Sequence, residues 1–318
     1  MSEASASGES RWIFFLLILI NINFALDFPI TKAVLEEVPP AGLLFWRWLF
    51  SVIVFLPAAF LDKSPPLEPK KPMSRWKLVT LLLLAGMLAQ TISTVLMNTG
   101  LTMTLAANLS VLFLTVPVFA SLLAALLLDE RLRANRVLGL ALALLGTALI
   151  SDIEWQNTEF LGDTYLLGNL LILLSCLGFA LGVILTKLLL EKLSYLRVNA
   201  YVFSIALLAV IPFAYREDPG FLLKAPDFSW TVWPAFLKIG SAWALAAIGF
   251  TWVLSRLEAS RTSVSLYLTP VFGVVSSALL LGESITLHMI LGLSVTLVGL
   301  VLVVYEQQLR NRWKAFRG

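Results

Sequence analysis

The chain has 318 residues, of which 59% are hydrophobic and only 14% charged, with a mean hydropathy of +0.88; a soluble domain is typically about 45–50% apolar and about 25% charged. These values exclude a soluble fold, and the lone Cys176 and lone His288 exclude an internal disulfide, a Cys-based metal cluster and a His-rich zinc or haem site. The net charge of +3 is read as an orientation signal in a membrane protein rather than a nucleic-acid footprint.

Apolar runs of roughly 17 to 25 residues match the length of helix that crosses about 30 Å of hydrocarbon. They fall near 12–31, 41–61, 77–97, 101–128, 135–151, 164–186, 198–215, 231–253, 262–281 and 285–305, which predicts an all-α integral membrane protein with ten transmembrane helices. Barrel strands would be about ten residues long with alternating polarity. Residues 1–11 form a short Ser/Ala-rich tail. The first run carries Asn21, Asn23 and Asp27 and is not followed by a small-residue cleavage site, so it reads as an uncleaved span.

With the N-terminus placed in the cytoplasm, every basic residue except Lys32, Arg47, Arg216, Lys224 and Lys238 falls on the inner side. The 62–77 loop, with Lys63, Lys70, Lys71, Arg75 and Lys77, and the 306–318 tail, with Arg310, Arg312, Lys314 and Arg317, contribute half of them. The 152–163 loop is acidic, carrying Asp152, Glu154, Glu159 and Asp163. Both termini are therefore expected in the cytoplasm.

The chain also resembles itself. Pro117-Val118-Phe119, Glu130, Gly139 and Gly146 recur as Pro270-Val271-Phe272, Glu283, Gly292 and Gly299 at an offset of 153, and Phe24-Ala25-Leu26, Thr31-Lys32 and Glu36 recur at an offset of 155. The repeats cover 12–151 and 164–305. Each holds five spans, an odd number, so the second must enter the bilayer from the opposite side, and the repeats are inverted. An inverted pair can exchange the shapes of its halves, which is the logic of alternating access.

Polar and small residues inside the spans carry the site reading. Gly139, Ala143 and Gly146, and again Gly292, Thr296 and Gly299, have the spacing of close-packing seams. Pro117 and Pro270 are kink or gate candidates. An ionisable group in hydrocarbon costs at least about 2.5 kcal/mol and so faces a partner or a cavity. Asp27 lies five residues before Lys32, and Arg47 six residues after Ala41. Both are then about 7 to 9 Å below the outer surface and able to pair, as a structural salt bridge or as a substrate or coupling site. Asn23 and Asp27 share a helix face, as do Gln90, Thr94 and Asn98, and Asn108 and Thr115. Lys238, Trp243, Trp252 and Tyr267 offer a cation and aromatic surfaces at cavity depth. Asn23, Asp27, Gln90, Asn108, Trp243 and Tyr267 are the cavity candidates. Trp12, Trp46, Trp48, Trp76, Trp230 and Trp233 read as interface anchors.

Asn23-Phe24, Lys32, Pro40, Arg47, Ala106-Ala107, Pro117, Glu130, Gly139 and Gly146, repeated in part at Lys187, Pro270, Glu283, Gly292 and Gly299, resemble the EamA family of the drug/metabolite transporter superfamily. The resemblance covers nearly the whole chain. It implies ten-helix inner-membrane carriers of small metabolites, many of them amino-acid exporters, the aromatic amino-acid exporter among them, with a central cavity between the halves. The chain departs from the family pattern at Ile20-Asn21, where a Trp-Gly pair is common, and at Asp27, where a small residue is common. The expected partners are a small-molecule substrate, a proton as a candidate coupling ion and the lipid bilayer, with no nucleic acid and no cofactor. A membrane-embedded enzyme and a non-transporting scaffold or sensor are the alternative classes, but no nucleophile and base can be assembled here.

Overall fold

The computed structural model describes residues 3–35, 37–64, 73–103, 112–113, 115–128, 130, 134–150, 163–221, 228–269, 272 and 287–304. These form helices α1 (Glu3–Leu35), α2 (Pro40–Phe60), α3 (Arg75–Met103), α4 (Thr115–Leu127), α5 (Ala134–Ile150), α6 (Asp163–Leu189), α7 (Tyr195–Glu217) and α8 (Val232–Arg256). A short helix α9 (Ala259–Val264) continues into a tighter turn over Ser265–Tyr267, and α10 runs from Leu287 to Val304. By length and composition α2, α3, α7, α8 and the Leu166–Leu189 part of α6 are able to cross a membrane, and shorter apolar stretches lie at Trp12–Asp27, Thr115–Leu127, Val137–Gly146 and Ile290–Gly299. Exposed leucines such as Leu126, Leu145, Leu208 and Leu245 give the outside an apolar surface suited to lipid.

One expected break is absent. The polar group Asn98-Thr99-Gly100 was expected between two spans, yet α3 runs through it to Met103. Asn98 is buried, and a Cβ on Gly100 would sit 2.7 Å from the Gly168 carbonyl oxygen. The small residue brings α3 and α6 into backbone contact, and polar residues inside that contact interrupt the hydropathy without interrupting the helix.

Helix ends are closed both by local caps and by residues from elsewhere in the chain. Ser74 accepts from the Lys77 amide at the start of α3, an N-cap within its own segment. The start of α2 has no such cap; instead Glu217, the last residue of α7, accepts from the Ala41 and Gly42 amides at 2.7 and 3.4 Å. At the other end of the same pair, Asp62 follows α2 and accepts from Ser194 Oγ, which itself caps α7 by accepting from the Arg197 amide. Glu130 accepts from the Ala259 and Ser260 amides and from Ser260 Oγ, at 2.7, 3.2 and 2.6 Å, and so closes the start of α9. Lys187 Nζ donates to the Leu254 and Leu257 carbonyls at 2.5 Å each, placing a cation at the negative end of α8.

The helices pack as α1 on α8, α3 on α6, α2 on α7, α4 on α9 and α5 on α10. The α5–α10 contact is the small-residue seam. A Cβ on Gly146 would lie 2.4 Å from the Thr296 amide nitrogen, and one on Gly299 would lie 2.5 Å from the Ala143 nitrogen. The largest apolar cluster joins α2, α3, α6, α7 and α8, with Trp48, Phe55, Ile184, Leu189 and Leu254 fully buried within it.

Candidate functional site

Two of the long helices widen into π-helix, α3 over Leu84–Ile92 and α8 over Leu237–Ala242. In α3, Thr91 and Ser93 hydroxyls donate to carbonyls five residues back, at Gly86 and Leu88, a reach that suits the wider turn. Such bulges frequently mark functional sites. The bulge in α8 contains Lys238 and Gly240. A Cβ on Gly240 would meet Phe50 Cβ at 2.5 Å and the Arg47 carbonyl at 3.0 Å, so only glycine lets α8 lie this close to α2. Ser51 Oγ bridges the same contact to the Arg47 and Gly240 carbonyls at 2.9 and 3.1 Å.

This approach brings three charges together. Arg47 Nη2 is 2.6 Å from Asp27 Oδ2, and Lys238 Nζ is 3.0 Å from Asp27 Oδ1 and 2.8 Å from the Asn23 carbonyl oxygen. The Asp27 and Arg47 side chains are each 9% exposed, whereas Lys238 is 21% exposed. Aromatic rings wall the cluster. The Arg47 guanidinium carbon lies 4.9 Å from the Trp243 ring centroid and 5.3 Å from that of Trp48. Trp243 in turn packs on Trp48, Phe203 and Phe24. Buried polar atoms without a hydrogen-bond partner among the described residues include Asn23 Oδ1, Arg47 Nε and Trp48 Nε1. A charged and aromatic cluster of this kind, with polar atoms to spare, can exchange partners with a charged small molecule.

Asn23, Asp27, Arg47 and Trp243 therefore converge. Gln90 lies elsewhere, its Nε2 3.9 Å from where a Cβ on Gly182 would stand. Tyr267 is buried with Leu140, Ala143, Val264 and Leu268, and its hydroxyl has no hydrogen-bond partner among the described residues. Pro117 is buried within α4, and Asn108 and Pro270 lie outside the described residues. The sequence marks Lys238 as an intramembrane cation but does not reveal its tie to Asp27. Trp48 corrects the anchor reading: it is 1% exposed and lines the charge cluster, whereas Trp12, Trp76 and Trp230 are well exposed. Asn21, a departure from the family pattern, is fully buried and accepts from Thr269 Oγ1 at 2.8 Å, tying α1 to the chain just beyond α9 and its tighter turn.

A multi-pass helical membrane protein with a buried charge cluster bridging its two halves has the build of a transporter. The pattern of the EamA-like transporter family matches residues 11–152 and 166–305, and the chain belongs to that family, whose members are transporters rather than enzymes. It is similar to the uncharacterized transporter YoaV of Bacillus subtilis, at 22% identity over 87% of this chain and 91% of that one. A probable amino-acid metabolite efflux pump of Salmonella typhimurium is 26% identical over 93% of this chain and 96% of its own. A probable terminal-alkyne amino-acid exporter of Streptantibioticus cattleyicolor is 26% identical over 84% of each chain. A crystal structure at 17% identity matches with a TM-score of 0.73 over 96% of this chain and 99% of that one, which shows the fold.

Proposed function

We propose that the protein is a secondary carrier that exports an amino acid or a related small polar metabolite across the inner membrane by alternating access. In this reading ten helices cross the bilayer as two inverted five-helix repeats with both termini cytoplasmic, and a proton is a candidate coupling ion. The observation that carries the proposal is the Asp27–Arg47–Lys238 cluster, because it is buried, walled by aromatic rings and assembled from helices of both halves. Sites of inverted-repeat carriers lie at such repeat interfaces. The distant exporters named above support the direction and the class of substrate. Asn23, Asp27, Arg47 and Trp243 form the proposed site, Gln90, Asn108 and Tyr267 are proposed further along the cavity, and Pro117 and Pro270 are proposed as gate positions.

The test is counterflow of radiolabelled amino acids in liposomes containing the purified protein. Saturable uptake that depends on unlabelled amino acid trapped inside is expected. Uptake equal to that of protein-free liposomes across the amino acids and their N-acyl and deaminated derivatives would overturn the carrier reading.

A further inference from the structure

The charge balance of the cluster is uneven. Asp27 offers one carboxylate to two cations, Arg47 and Lys238, so one positive charge is left over. The hydrogen-bond balance tilts the same way. Among the described residues the buried atoms without a partner here are two donors, Arg47 Nε and Trp48 Nε1, against one acceptor, Asn23 Oδ1, and the Arg47 guanidinium carbon lies 5.3 Å from the Trp48 ring centroid. The surplus charge and both donors thus belong to one cluster, with the two donors on adjacent residues of α2. What completes that place is an acceptor carrying negative charge. A guanidinium matches a carboxylate through two parallel N–H bonds, and on Arg47 the Nε edge adjoins the Nη2 already holding Asp27 Oδ2. Lys238 is the most exposed of the three charges, so it is the one an arriving ligand reaches first. Around this point Trp48, Trp243, Phe24 and Phe203 pack on one another as an aromatic wall, the surroundings that suit an apolar body attached to the anionic group.

Resting on the carrier reading, we propose that the carried molecule is an organic carboxylate with an aromatic or flat apolar body, received by Arg47 and Lys238, with Asp27 as the resident counter-ion that it displaces. A free amino group is not required. When the site is empty Asp27 holds both cations; when the carboxylate arrives it takes up the Nε edge of Arg47 and competes with Asp27 for Lys238. The bound site then carries two negative groups against two positive ones. A primary amine without a carboxylate finds the opposite situation, since Asp27 is already engaged on both oxygens and the remaining charge repels it.

The experiment is equilibrium dialysis of the purified full-length protein with radiolabelled 3-phenylpropanoate, competed by phenylalanine and by phenethylamine. Saturable binding of 3-phenylpropanoate is expected, with displacement by phenylalanine and none by phenethylamine at tenfold higher concentration. Asp27→Asn, which removes the resident competitor, should tighten 3-phenylpropanoate binding at least tenfold. Arg47→Gln and Lys238→Gln should weaken it at least tenfold. The comparison of the three ligands on the unaltered protein stands even where a variant fails to fold. Displacement by phenethylamine as effective as by phenylalanine, absence of saturable 3-phenylpropanoate binding, or loss of binding in folded Asp27→Asn would each overturn the inference. Amino-acid counterflow that persists without 3-phenylpropanoate binding removes the carboxylate inference and leaves the carrier reading intact, whereas absence of all counterflow removes the carrier reading itself.

Discussion

Asp27 holds two cations that are otherwise deprived of a counter-ion in a poorly solvated place, and the consequence of removing it follows from desolvation. Breaking a buried pair from one side leaves an uncompensated charge, which for fully buried groups costs about 3–5 kcal/mol, while removing both partners is often nearly neutral. Asp27→Asn is therefore expected to lower thermal stability in detergent substantially, by the order of 3 kcal/mol, and Asp27→Asn combined with Arg47→Gln should recover most of the loss. Lys238 stays behind in the double variant, but it is the most exposed of the three and also donates to the Asn23 carbonyl. A double variant as unstable as Asp27→Asn alone would show that Arg47 is held mainly by its rings. Asp62 illustrates a different balance at the end of α2. Burial works against its ionisation, yet hydrogen bonds from Ser194 and Ser64 and the charge of Arg197 outweigh burial and hold the carboxyl below its ordinary 3.8. A depressed carboxyl contributes stability that is complete above the unfolded-state value and fades as pH falls through the folded one. The melting-temperature gap between the unaltered protein and Asp62→Asn should thus be constant above about pH 5 and close below about pH 4; a gap that widens on acidification contradicts the assignment.

Helix ends and helix contacts differ in how far they could be read in advance. The seam residues Gly139, Ala143, Gly146, Gly292, Thr296 and Gly299 announce themselves by spacing, because only small side chains allow two backbones to touch. Their partners, each other, come from the repeat rather than from any local signal. Gly299→Ala would put a methyl 2.5 Å from a backbone nitrogen, so α5 and α10 must separate, at a cost of about 1–3 kcal/mol. Gly42→Ala, with nothing nearer than the Val38 side chain at 3.7 Å, should leave the melting temperature unchanged, and an equal loss in both variants would discount the seam. The caps were less legible. Glu130 was visible as a duplicated acid at a helix end, but its bond to the start of α9 depends on a contact between the two halves that a linear reading does not contain. The π-helical segments left no trace at all, since a shift of hydrogen bonding from four residues back to five changes neither composition nor polarity. Lys238 was for that reason recognisable as an intramembrane cation but not as the partner of Asp27: its position depends on the bulge and on Gly240.

At the scale of the molecule, exchanging the two halves maps the helix pairs onto one another, α1 on α8 becoming α6 on α3, and α2 on α7, α4 on α9 and α5 on α10 each mapping to itself. The closures follow the same exchange: Asp62 and Glu217 are 155 residues apart, and each lies beside the start of the helix that the other follows or ends. The charge cluster breaks the pattern. The positions equivalent to Asp27 and Arg47 are Gly182 and Val202, and the approach of Gly240 to the Arg47 carbonyl and Phe50 recurs as that of Gly86 to the Val202 carbonyl, at 2.8 Å, and Ile205, which sets Leu84 opposite Lys238; a Cβ on Gly182 would touch Ala89 at 3.0 Å. One corner holds three charges and the other, with Leu84, Gly182 and Val202, holds none, so the scaffold itself does not need the charges. An inverted relation between the halves makes a definite demand on sidedness, because Asp62 and Glu217 terminate equivalent helices and must then face opposite sides of the membrane. Single cysteines at Ser64, next to Asp62, and at Ser229, at the start of the chain's return into α8, test it in a Cys176→Ser background. With both termini cytoplasmic, Ser64→Cys should react with a membrane-impermeant maleimide only after the cells are opened, and Ser229→Cys should react in intact cells. Reaction of both from the same side would mean that the halves run parallel, and reaction of Ser64→Cys alone in intact cells would keep the inverted repeat but turn the whole molecule over, against the distribution of its lysines and arginines.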